Sequence, residues 1–126
     1  MKKRVLFAAG IVIVIITGIF VIGTSGLSEG MKASLDGVDL SNMLDGSYTG
    51  TYNFKRWSNT VVVHIEDGTI RAIDIEKDVI GAGITDCADE MISRVIEAQD
   101  TKVDAVSGAT VTSKAYLKAI EDALQF

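Results

Sequence analysis

A chain of 126 residues has room for one small domain. Its net charge is −5, and beyond Lys2, Lys3 and Arg4 the portion from Leu27 onward holds nine basic against seventeen acidic residues. That balance disfavours nucleic acid phosphates as a partner and resists lying flat on anionic lipid, while keeping a small exported domain soluble.

The first segment sets the compartment. After the basic start, 22 residues from Val5 to Gly26 carry no charge, and about 20 suffice to cross a bilayer. A cleaved signal peptide shares the basic start, but its apolar core is about 7–15 residues long and ends at a small-residue cleavage site. Here the strongly apolar part runs from Val5 to Ile22, and no Ala-x-Ala precedes Leu27. A retained anchor over residues 1–26 is therefore expected. Lys2, Lys3 and Arg4 stay cytoplasmic, and the remainder lies outside the cytoplasm, as a single-pass protein of the cell membrane.

Leu27 to Leu44 mixes Ser, Gly, Glu, Lys and Asp with isolated Leu, Met and Val, sustains no period, and reads as a linker over 27–44. Asp45-Gly46 then opens a strand in which Tyr48, Gly50, Tyr52 and Phe54 share one face and Thr49, Thr51 and Asn53 the other. Lys55 to Asn59 makes a polar connection that carries Trp57. The β-branched run Thr60 to Ile65 and the run Ile70 to Ile75 flank Asp67-Gly68, a strong hairpin signal because both turn positions need positive φ. A three-stranded antiparallel meander is the expected core.

Gly81-Ala82-Gly83 breaks that pattern. Ala88, Met91, Ile92, Val95 and Ile96 then repeat at i, i+3, i+4, i+7 and i+8, which predicts a helix over Asp86 to Ala98 with one apolar stripe. A second helix is expected from Thr112 to Leu124, with Tyr116, Ile120, Ala123 and Leu124 inward and Lys114, Lys118, Glu121 and Asp122 outward. The fold class is α+β: a small antiparallel sheet packed with two helices, preceded by one N-terminal transmembrane helix.

Single residues with chemical potential are few. Cys87 is the only cysteine, so no intramolecular disulfide forms, and as nothing basic adjoins it, it reads as a small packing residue. His64 is the only histidine, expected to face solvent or sit at an edge, opposite Arg71, and no companion ligands suggest a metal. Asp89-Glu90 and Asp74/Glu76 fit solvated faces and helix-start charges better than acid–base pairs. Trp57 and the stripe Tyr48, Tyr52 and Phe54 read as core cover before cofactor platform.

The most informative stretch is Asp104-Ala105-Val106-Ser107-Gly108-Ala109-Thr110, followed at once by the last helix. Small residues between hydroxyls at a helix entrance, where N–H groups lack partners and the dipole end is positive, suit a phosphate. On spacing alone, the plainer reading is that Ser107 and Thr110 or Thr112 merely cap the last helix.

In its context, after the hairpin and the first helix, this stretch resembles the FMN-binding domain family. The sodium-pumping NADH:quinone oxidoreductase and the Rnf electron-transport complex each contain a member of that family. The family motif Asp-x-x-(Ser/Thr)-Gly-Ala-Thr is matched at Asp104, Ser107, Gly108, Ala109 and Thr110; the resemblance covers roughly Asp45 to Leu124, which places the FMN-binding domain at 45–126. It implies FMN joined through a phosphodiester to Thr110, transferred from FAD by a separate magnesium-dependent flavin transferase. Ser107, Gly108 and Ala109 would form the small-residue loop that admits the phosphate, and Asp104 would be part of what the transferase reads.

A threonine hydroxyl is a poor nucleophile and the motif contains no histidine, so an external catalyst is expected. Unpaired N–H groups near Val111 to Ser113 would stabilise the diester's charge, and bulk at Gly108 would block the approach. The resemblance thus implies a membrane-anchored, extracytoplasmic flavoprotein, carrying electrons between a membrane redox donor and an external or periplasmic acceptor. The other readings are a small flavin reductase and a non-flavinylated exported interaction module. Longer relatives place flavin-contacting residues between the hairpin and the first helix. Here that stretch is only Asp78 to Gly83, so the residues that hold the ring stay open and a largely solvent-exposed flavin is the expectation.

Overall fold

A computed structural model describes residues 2–24, 26–78 and 85–125, with the side chains of residues 20–24, 78 and 85 excepted. Two helices come first, α1 (Lys2–Thr24) and α2 (Leu27–Lys32). They are followed by β1 (Gly46–Tyr52), a 3₁₀ turn (Lys55–Trp57), β2 (Asn59–Glu66), β3 (Thr69–Asp78), α3 (Thr85–Ala98) and α4 (Thr110–Leu124). The break expected at Gly81-Ala82-Gly83 lies outside the described residues.

The meander forms as the alternation predicts. Three antiparallel strands lie in the order β1-β2-β3, and the β2–β3 turn closes with Glu66 opposite Thr69 and positive φ at both Asp67 (53°) and Gly68 (72°). These are the angles a two-residue hairpin turn demands. Irregularities between His64 and Ile65 and between Thr60 and Val61 shift the register, so His64 faces Ala72 and not Arg71 as an unbroken hairpin would have it. His64 also lies on the middle strand, where its Nδ1 pairs with Ser47 Oγ at 2.8 Å and its Nε2 with Asp74 Oδ2 at 2.8 Å.

One face of the sheet builds the core. Val61, Val63, Ile65, Ile70 and Ile73 pack with Cys87, Met91 and Val95 of α3 and with Leu117, Ala119, Ile120, Ala123 and Leu124 of α4. Cys87 is a buried packing residue, as expected. α4 lies directly on β1 because Gly50 has no side chain: a Cβ there would collide with the Ala119 carbonyl and Ala123. The opposite face, with His64, stays open.

Three further expectations change within the domain. α4 starts at Thr110, two residues earlier than the pattern suggests. Glu121, expected outward, is 1% exposed. It accepts from Thr101 Oγ1 at 2.7 Å and from the Gly37 N–H at 3.0 Å, and pairs with Lys118 Nζ at 3.3 Å. Its burial follows from the third change, since the segment 27–44, read as a tether, lies against the domain. Leu35, Val38, Leu40 and Met43 pack on the core, Asp100 Oδ1 accepts from the Val38 N–H at 3.1 Å, and α2 rests on α4.

The N-terminal segment is helical as expected, but among the described residues no helix is long and apolar enough to cross a membrane. The described side chains of α1 run from Lys2 to Ile19 and include three cations at one end. From Val5 to Ile19 its large apolar side chains are exposed.

Candidate functional site

The motif loop is held from two sides by residues outside the five-residue motif match. Ser113, buried in the first turn of α4, donates its hydroxyl to the Ala109 carbonyl at 2.7 Å and accepts the Val106 N–H at 3.0 Å. Arg94 of α3 donates Nη1 to the Asp104 carbonyl at 2.7 Å while its Nε holds Glu90 at 2.9 Å. A serine three residues beyond the acceptor, at the helix start, was the only sequence signal for the first. Arg94 had none, because its partner is a backbone carbonyl brought near by the fold.

Between these ties the loop folds on itself, with the Ala109 N–H bonded to the Val106 carbonyl at 3.0 Å. Gly108 takes φ 79°. A Cβ there would meet nothing within 4 Å, so the glycine is required by its left-handed backbone rather than by crowding.

Of the five candidate residues, Asp104, Ser107 and Gly108 are exposed, and Ala109 and Thr110 are half-buried. None caps the helix: Ala109 occupies the capping position without a side-chain hydrogen bond. The Ser113 N–H is bonded to the Ala109 carbonyl at 2.8 Å. Among the described residues the unpaired donors are therefore those of Thr110, Val111 and Thr112, one residue earlier than expected. The Thr110 hydroxyl likewise has no partner among the described residues.

Thr110 opens into a cleft of about 560 Å³, within the range of small-molecule sites. Its walls are Leu27 and Met31 of α2, Arg56 and Trp57 of the 3₁₀ turn, and Gly108 to Thr112. Trp57 is 3% exposed, packed with Val111, Ala115, Tyr52 and Phe54, so it covers one end of the core as expected while bordering the cleft. A second, more open groove flanks the other side of the loop and includes Arg94, Lys102, Asp104 and Ser107.

A free hydroxyl, three unpaired N–H groups at the start of a 15-residue helix and an adjacent cleft together fit a phosphorylated ligand with a larger organic part. Comparison with protein families agrees: the model described as the FMN-binding domain matches residues 57–125, more than half of the chain. No curated protein matches the chain.

Proposed function

The chain belongs to the FMN-binding domain family, and from that premise we propose that it is an electron carrier whose FMN is joined to Thr110 through a phosphodiester. The observation that carries this reading is the Thr110 hydroxyl. Among the described residues it is unbonded and sits beside N–H donors that no other group uses, and it stands at the motif's acceptor position.

The local chemistry supports an external catalyst. His64, the only histidine, is engaged by Ser47 and Asp74 on the face of the sheet that α4 does not cover, so it cannot deprotonate Thr110. A flavin transferase drawing on FAD is the proposed partner, and exposed Asp104 and Ser107 are the groups offered to it. The N–H groups of Thr110 to Thr112 would hold the diester's remaining charge. Ser113 and Arg94 keep the loop in the shape that presents the hydroxyl. When bound, the flavin supplies the redox chemistry, and the protein contributes tether and surroundings.

Membrane attachment through residues 1–26, with the domain outside the cytoplasm, is part of the same proposal. Its support is the uncharged run Val5 to Gly26 behind a basic start, and the large apolar side chains of α1 from Val5 to Ile19, which are exposed among the described residues. The donor would then be a membrane redox protein and the acceptor external or periplasmic.

The test is coexpression of the full chain with a flavin transferase, followed by a denaturing gel viewed for flavin fluorescence. A fluorescent band that survives denaturation and fractionates with membranes is expected. A colourless band under conditions that label another family member would contradict covalent attachment, and a wholly soluble band would contradict the anchor.

A further inference from the structure

Leu27 and Met31 are 39% and 52% exposed, although the short helix that carries them is held firmly. The inner side of α2 meets α4 where Gly30 abuts Val111 with no room for a Cβ, and Lys114 Nζ donates to the Met31 carbonyl at 2.5 Å. Two large apolar side chains thus stand along a fixed wall beside Thr110, partly exposed among the described residues.

In the lining of the same cleft, the indole of Trp57 is already engaged. Phe54 stacks against it with ring centroids 6.0 Å apart and planes 20° from parallel, and the Arg56 guanidinium lies 4.6 Å from its centroid. What the cleft offers a planar ligand is therefore the guanidinium, a flat cation laid on an aromatic base. Arg56 has no carboxylate partner and no hydrogen bond among the described residues, in a domain where acidic residues outnumber basic ones. An unpaired cation beside a partly exposed apolar wall calls for a ligand that is flat, largely apolar and able to take negative charge.

We infer that the isoalloxazine ring of the FMN on Thr110 lies in this cleft, between Leu27 and Met31 on one side and Arg56 on the other, and that Arg56 favours the reduced ring. The inference rests on the reading of Thr110 as the attachment site. Reduction adds two electrons and one proton to a neutral ring and leaves it with one negative charge, which a neighbouring cation stabilises. The phosphodiester carries the same charge in both states, so a cation serving the diester alone would leave the reduction equilibrium unchanged.

The experiment uses the full chain, loaded by a coexpressed transferase, purified in detergent and titrated with dithionite. Arg56 is exposed, so its replacement leaves the core intact. Arg56→Gln is expected to shift the reduction equilibrium about tenfold toward the oxidised flavin, a potential lower by about 30 mV for a two-electron couple. Arg56→Lys should recover most of that shift. Met31→Ser should raise quenching of the flavin's fluorescence by iodide about twofold, by uncovering the ring. A loaded Arg56→Gln protein with an unshifted potential, or a Met31→Ser protein with unchanged quenching, overturns the inference while leaving the attachment site standing. A chain that carries no FMN removes both.

Discussion

The two ends of α4 treat their polar groups in opposite ways. Near its C-terminal end Glu121 is buried and fully used, by a hydroxyl, a backbone N–H and an ammonium drawn from three parts of the chain. At its N-terminal end Thr110 keeps an unbonded hydroxyl and stands next to unbonded N–H groups at the edge of a cleft. Burial of a polar group costs free energy unless it is paired, so the satisfied end holds the fold together and the unsatisfied end is left for a ligand. One helix carries both: β1 and Gly37 meet its distal half at Ala119, Glu121 and Ala123, while Thr110 at its start stays half-buried at the edge of the cleft.

The contrast between the two ends breaks most severely where α4 rests on the sheet. Gly50→Ala puts a methyl against the Ala119 carbonyl and Ala123, and overpacking of this kind costs about 3 kcal/mol. Thermal denaturation should show a large loss, with flavin loading falling only as folded protein falls. Next comes Glu121→Ala, which strands the Thr101 hydroxyl and the Gly37 N–H and should cost about 2–3 kcal/mol. Loading per folded molecule should stay at the wild-type level, because this end has no part in the site.

Ser113→Ala sharpens the contrast from the other end. It releases the Val106 N–H and the Ala109 carbonyl, a loss of about 1–2 kcal/mol, yet loading should drop several-fold because the loop no longer presents Thr110. Chemical denaturation and the ratio of flavin to protein absorbance separate the two effects. Thr110→Val comes last in stability, within about 0.5 kcal/mol of wild type because the hydroxyl bonds to nothing, and first in its effect on flavin.

Much of this was legible in the residues. Period-two alternation and Asp67-Gly68 specify the meander, and the Ala88-to-Ile96 stripe specifies α3, because each pattern is local. The motif's position is local too. What escaped was set by distant chain. Glu121 reads as a surface acid until the 27–44 segment and Thr101 close over it. The start of α4 moves from Thr112 to Thr110 because Ser113 ties back to Ala109. His64 misses Arg71 because an irregularity in the hairpin, invisible in the alternation, shifts the register by one residue. The cleft belongs to the same class, since α2 interrupts no pattern and announces itself only through Gly30 against Val111.

Intact-mass measurement of the full chain, coexpressed with a flavin transferase, tests the central claim most directly. The wild-type chain should carry one added FMN, joined with loss of water, and Thr110→Ala should carry none while unfolding at the same temperature. An unmodified wild-type mass beside a working transferase, or the full increment on Thr110→Ala, would contradict the account.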